Sequence, residues 1–421
     1  MRNPFPLALV ALLASASVSG QPVSVVPTSQ TDVEVAAGAN ALRDVALWVN
    51  PDGGSSLIFT AYDSVNSGLV TYGLNGDRLE LEADGPTRGL AVHDGFPLAG
   101  GNQTLLLSAQ AGRVMAYRLS TLASDRVQPI GPVAFDVSGS GLQSVALYRS
   151  AASGRFYAFR ASERFIDQFE LSGADGGVSG TQVRSIDTRV GTAFGTIAGL
   201  TADEDTGSLF AMVSGQGLLR FGAEPDAGSE GRVVAAADGG QLSTTIGRVG
   251  LYRAGSSEGY LIAADRDANA FVVFERRSLA FIGAFRVASN ADAGIRDAVD
   301  GPLALSVTSL PVGATFPDGL FIAHDSVAGP ENLKLVSWPA VANAFDPPLR
   351  IDTRQDTDGG TDGGTGRDAG PVVGGPEPLP SNPITIPDDG DGCSCASASV
   401  PATALLGLLA LAMTGRRRRR S

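Results

Sequence analysis

Asp44 stands directly ahead of an apolar run in the stretch ALRDVALWVNP, residues 41–51. A carboxylate in that place has two chemistries open to it. It can ligate a metal at the mouth of a sheet, or it can sit at the head of a strand and accept hydrogen bonds from local backbone N–H groups. Other candidate groups have simpler readings. Asp203, Glu204 and Asp205 lie in DEDTG, whose composition is that of a hairpin turn. GSSEG, residues 255–259, has the spacing of a nucleophile elbow, but an elbow needs a strand-to-helix turn and both flanks here are strand-like. His93 and His324 stand apart with no triad around them, and Cys393 and Cys395 are both near the C-terminus, which excludes a His/Cys metal cluster. No glycine-rich loop opens a helix, so a nucleotide-binding motif is absent as well.

The elements that would position these groups are strands. Between residues 30 and 350 there is no long stretch of helical period; short apolar runs alternate with turn pairs instead. Asn75-Gly76 in GLVTYGLNGDRLEL marks a tight hairpin, and TGSLFAMVSGQGLLRF, GYLIAADRDANAFVVFER and DGLFIAHD have the same form. Many short strands joined by hairpins over some 300 residues predict an all-β architecture of the propeller type, built from antiparallel sheets of about four strands each. This periodicity leaves the number of blades open.

The two ends read differently. Residues 1–20 carry Arg2, a short apolar run and then small residues, the pattern of a secretory signal. Residues 353–392 are rich in Asp, Gly, Pro and Thr and predict a flexible linker; their D-x-D-G spacing lacks the closing glutamate and helical flanks of a calcium loop. Residues 393–421 contain Cys393 and Cys395, an apolar segment from Val400 to Gly415 and the run Arg416–Arg420. That order resembles the C-terminal sorting signal of myxobacterial exported proteins. It implies a short transmembrane or sorting helix with its C-terminus inside, processing near Cys393 or Cys395 and retention at the outer cell surface. The intervening 21–352 body has no cysteine, so it must fold without disulfides. The chain carries a formal charge of −13, which argues against nucleic acid as a partner. Lys334 is the lone lysine, so any anion site must use arginine, backbone N–H groups or metal.

Several segments, in order, resemble the β-propeller phytases, secreted calcium-dependent enzymes that remove phosphate from phytate (myo-inositol hexakisphosphate). They include RDVALWVNP (43–51), GLVTYGLNGD (68–77), ALYRSAASGRFYAF (146–159), AEPDAGSEG (223–231), GYLIAADRDANAFVVFER (259–276), FPDGLFIAHD (316–325) and NLKLVSW (332–338). The resemblance implies a six-bladed, monomeric all-β propeller over 21–352, a phosphorylated small molecule such as phytate as partner, and calcium as cofactor. The chemistry is coherent, because an acidic cleft can hold a polyanion only when bound cations reverse the local sign.

Carried over residue by residue, the resemblance makes Asp44, Asp300 and Asp325 metal ligands and places Tyr148 and Glu163 in the catalytic cleft. Other positions depart from the family pattern. Arg43 replaces the first acid of an Asp-Asp pair, and Ser162 replaces a lysine before Glu163. An Asn-Asn-x-Asp motif has become RGLA (88–91), a Thr-Glu-Gly has become IAG (197–199), a Glu-Glu pair has become Val213-Ser214, and an Asp-Ile-Glu-Gly has become TIGR (245–248). These losses imply a reduced calcium–phosphate site, with Arg43 expected to salt-bridge Asp44. Two functions follow as expectations: a surface-anchored, calcium-assisted phosphomonoesterase of the 3-phytase type, or a non-catalytic displayed propeller that binds a ligand or partner.

Overall fold

The structure is a computed structural model that describes residues 21–352, except 35–40, 51–55, 65–66, 111, 123–124, 131–134, 137–141, 256 and 327–330. All of these belong to a compact unit that runs to Gly360. The expected signal, linker and sorting tail lie outside the described residues. Among the described residues, no helix is long and apolar enough to cross a membrane.

Six antiparallel sheets follow one another along the chain. Blade 1 is Leu42–Trp48, Leu57–Tyr62, Leu69–Tyr72 and Arg78–Glu82. Blade 2 is Thr87–Leu98, Gly101–Gln110, Arg113–Leu119 and Val127–Pro129, with Phe135–Asp136 also on its third strand. Blade 3 is Leu142–Arg149, Phe156–Ser162, Phe165–Ser172 and Ser179–Asp187. Blade 4 is Ile197–Asp203, Ser208–Val213, Gly217–Gly222 and Arg232–Ala236. Blade 5 is Ile246–Arg253, Gly259–Asp265, Ala270–Glu275 and Phe281–Val287. Blade 6 takes Leu305–Thr308, Leu320–Asp325 and Asn332–Ser337 from the end of the body and Ser29–Gln30 from its start. The segment just before it, Val23–Val25, adds a parallel fifth strand to blade 5.

The apolar side chains explain why these sheets form a ring. They fall into six clusters, one at each junction between successive blades, and the sixth joins blade 6 to blade 1. Adjacent residues of one strand serve different junctions: Ile58 packs toward blade 6 and Phe59 toward blade 2. Both faces of each sheet are therefore covered, and a strand such as Ser208–Val213 is buried along its whole length. That geometry produces continuous apolar runs in place of a clean alternation. The expected hairpin at Asn75-Gly76 forms, with the Gly73 amide bonded to the Asp77 carbonyl at 3.0 Å. The GSSEG segment joins two strands of blade 5, as its flanks suggested.

The first strand of each blade lines a central channel of about 710 Å³. These inner strands all run the same way, so the ring has a leading face, where they begin, and a trailing face, where they end.

Candidate functional site: the leading face of the channel

Five of the six inner strands have a register irregularity at their start, between Leu42 and Asp44, Thr87 and Gly89, Leu142 and Ser144, Ile197 and Gly199, and Ile246 and Val249. A bulge re-aims the residue it displaces, and bulges recur beside binding sites. The displaced positions include Arg43, Arg88 and Arg248. Two glycines next to these bulges let the strands crowd together. A Cβ on Gly89 would sit 2.8 Å from the Ser144 Cα, and one on Gly199 would sit 2.9 Å from the Arg248 Cα.

Asp44 and Arg248 form the hub of this face. Asp44 Oδ1 accepts from its neighbour's amide, Val45, at 2.9 Å and lies 3.1 Å from Arg248 Nε; Oδ2 accepts from the Leu90 amide at 2.8 Å. Arg248 donates Nε to the Arg43 carbonyl at 2.7 Å, Nη1 to Ser144 Oγ at 2.8 Å and Nη2 to the Arg88 carbonyl. Ser144 Oγ in turn accepts from the Leu200 amide at 3.1 Å, and the Arg248 amide donates to the Leu303 carbonyl at 2.8 Å. One ion pair thus ties together blades 1 to 5 and the segment leading into blade 6. Burial pushes the Asp44 carboxyl up and the Arg248 guanidinium down, while each partner's charge pulls the other way. The expected Arg43–Asp44 bridge is not the one that forms. Arg43, at the register shift between Leu42 and Asp44, pairs with Asp63 Oδ2 at 3.2 Å, while Arg248 takes Asp44.

Asp325 ends the second strand of blade 6 on the same face, and Asp300 lies against it. Asp325 Oδ1 accepts from the Asp300 amide at 3.0 Å, and its Oδ2 lies 3.5 Å from Lys334 Nζ. The fully buried Lys334 also contacts Asp297 at 3.0 Å and Gln30 at 2.7 Å. Burial raises the Asp325 carboxyl, and the lysine holds Asp297 low against its own partial burial. Glu163 is an exposed hairpin residue between the second and third strands of blade 3, also on the leading face. Tyr148 is not brought to this face. It lies four residues beyond Ser144, about 13 Å along the strand, fully buried between blades 3 and 4, and it donates to Glu224 at 2.6 Å.

Calcium prefers about six to eight oxygens, supplied largely by carboxylates and carbonyls. Asp44 and Asp325 already have amide donors and a cationic side chain against them. Among the described residues, no group of three or more His, Cys, Asp or Glu side chains converges as a ligand set. The side chains as arranged do not fit a calcium ion.

The groups that hold this face together include several the sequence reading passed over: Arg248, Arg88, Asp63, Ser144 and Asp297. A signal for two of them was present. RGLA and TIGR, noted for the acids they lack, each bring an arginine.

The trailing face is ionic too. Arg276, fully buried, binds Asp203 and also reaches Asp205 at 2.6 Å and the carbonyls of Gly255 and Glu258 at 3.0 and 3.1 Å. His93 and Glu204 meet across the channel mouth at 2.5 Å. The new acids of DEDTG thus lie at the opposite end of the channel from Asp44.

A closed six-bladed ring with charged side chains at both mouths of its channel defines a β-propeller. The family model described as Phytase matches residues 6–359, and the chain belongs to the phytase family. It is 29% identical over 339 residues to the 3-phytase of Bacillus subtilis (strain 168), an alignment covering 75% of this chain and 84% of that relative. Among solved structures, it resembles a chain of a nidogen/laminin complex at 14% identity and a TM-score of 0.38, over 59% of this chain and 80% of that one.

Proposed function

We propose that this protein is a phytase-like hydrolase that acts on phosphomonoesters, with phytate as the reference substrate, at the leading face of its propeller. The observation that carries this is the placement of Asp44, Glu163, Asp300 and Asp325, four family-matched acids, on one and the same face of a phytase-family ring. Glu163, as an exposed carboxylate there, is the candidate general base for water attack on phosphorus. The family's use of calcium argues for a metal, and the side-chain arrangement argues against one. The reaction is therefore written without a metal step. The leader and tail supply the address: export, anchoring at the outer surface and processing near Cys393 or Cys395.

A second function, ligand binding without hydrolysis, is favoured by a single contact, Arg248 on Asp44. Phosphate release from phytate by the purified protein, with calcium and with EDTA, separates the two. Release that falls at least tenfold in Glu163→Gln supports the hydrolase. Absence of release under both conditions overturns it and leaves the binding function. Intact mass of the cell-surface form tests the processing.

A further inference from the structure

Three positions at which this chain departs from the acidic or amide motifs of its family carry arginine, and all three meet at the rim of the channel. Arg43 stands for the first acid of the Asp-Asp pair, Arg88 opens the segment that replaces Asn-Asn-x-Asp, and Arg248 closes the one that replaces Asp-Ile-Glu-Gly. The structure links them directly: Arg248 bonds to the backbone carbonyls of both Arg43 and Arg88.

The three do different work. Every guanidinium nitrogen of Arg248 is engaged within the hub, and its side chain is buried. Arg43 and Arg88 are held more loosely. Their side chains are 39% and 34% exposed, and both approach the same oxygen, Asp63 Oδ2, through Nε at 3.2 and 3.0 Å. Neither guanidinium has a further hydrogen bond among the described residues. Two like charges drawn to one carboxylate oxygen repel each other, and their Nη edges have no partner among the described residues. The network holds three guanidinium groups against two carboxylates, Asp44 and Asp63, on a chain whose overall charge is strongly negative. The group that completes such an arrangement is a second anion with several oxygens, and the planar guanidinium fork suits phosphate oxygens.

We propose that Arg43 and Arg88, spaced by Asp63 and backed by the Arg248 hub, form a calcium-independent binding site for a phosphomonoester dianion at the leading rim of the channel. The site rests on the leading face being the phosphate-handling face, and it deepens that function by naming what replaces the metal. In the arrangement that the family resemblance implies, bound cations reverse the sign of an acidic cleft; at this rim, guanidinium groups built into the strands would supply the positive charge instead. Asp63 is a positioning residue, because it acts by fixing the two arginines.

The test is equilibrium binding of phytate, and separately of inorganic phosphate, to the purified protein in EDTA. Saturable binding of phytate is expected, and it should weaken steeply with salt. The Arg43→Gln/Arg88→Gln variant should lose at least tenfold in affinity, and Arg88→Lys should lose less, since it keeps the charge and gives up the fork. If the double variant does not fold, judged by its thermal transition, Arg43→Gln alone carries the test, with a severalfold loss expected. Binding that requires added calcium, or that is unchanged in the arginine variants, overturns the site. Hydrolysis is scored apart from binding: binding in EDTA without phosphate release keeps this site and removes the hydrolase, while calcium-dependent release without binding in EDTA does the reverse.

Discussion

The two mouths of the channel solve one problem in opposite ways. On the trailing face Arg276 is enclosed by Asp203, Asp205 and two carbonyls, so a single cation is surrounded by acceptors. In one cluster of the leading face, apart from the acids around Lys334, the ratio is reversed, with Arg43, Arg88 and Arg248 arrayed around Asp44 and Asp63. The first arrangement satisfies itself. The second is complete only at its buried hub and stays open at its exposed rim. Guanidinium edges left open near solvent mark a surface built to receive an anion, whereas a buried cation enclosed by acceptors marks one built to stay closed.

Breaking the trailing cluster should have the largest effect on stability. Arg276→Met leaves Asp203 buried without its hydrogen-bonded guanidinium, and removing one partner of such a pair costs about 3–5 kcal/mol; chemical denaturation would measure it. A loss under about 1 kcal/mol would show that water enters and that the cluster is less closed than its burial implies.

Arg248→Met should come next, at about 3 kcal/mol, because Asp44 keeps its amide donors from Val45 and Leu90 when the guanidinium is gone. It should also loosen the rim, so phytate binding should weaken in proportion to the disorder of Arg43 and Arg88. An Arg276→Met protein that folds should bind phytate as the wild type does. Equal damage to binding from both variants would erase the distinction between the faces.

The smallest expected effect is pH-dependent and confined to the trailing mouth. His93 donates toward the Asp94 carbonyl and meets Glu204, so both ring nitrogens face acceptors. Burial works against its charge, but Glu204 outweighs burial and raises the imidazole above its ordinary value near 6.5, while His93 holds Glu204 below 4.5. Stability from the raised histidine is present below pH 6.5 and fades as pH climbs through the folded value. Stability from the lowered glutamate is present above pH 4.5 and fades as pH falls through its folded value. The stability gap between wild type and His93→Gln, measured by denaturation at a series of pH values, should therefore peak between about pH 4.5 and 6.5, at roughly 1 kcal/mol. A gap that keeps growing toward pH 8 would contradict the assignment.

How much of this was legible in the sequence follows from where each determinant lies. Hairpins are local, so Asn75-Gly76 and the turn at DEDTG could be read directly. The count of six blades was not local. Burying both faces of every sheet erases the alternation that marks strand length, and the number came through family resemblance. Asp44 at the head of a strand was legible, as the Val45 amide bond shows, yet its ionic partner was not. Arg43 is adjacent in sequence, but at the register shift it pairs with Asp63; Arg248 arrives from blade 5, and only ring closure brings it there. Tyr148 shows the same limit from the other side, since matching its motif did not reveal which end of the strand its hydroxyl would occupy.

The ring's closure also sets a clock. Ser29 pairs with Leu335 and Val23 with Phe285, so the first strands to be made lie against the last two blades. At about 5–20 residues per second of synthesis, Ser29 has no partner for on the order of 15–60 s. Throughout that interval blade 6 is incomplete and an unpaired edge is open to other chains. The most vulnerable moment in the life of this protein is thus fixed by topology: circular permutation would move the open edge to another blade without shortening the wait, because in a closed ring a strand made first always pairs with one made last.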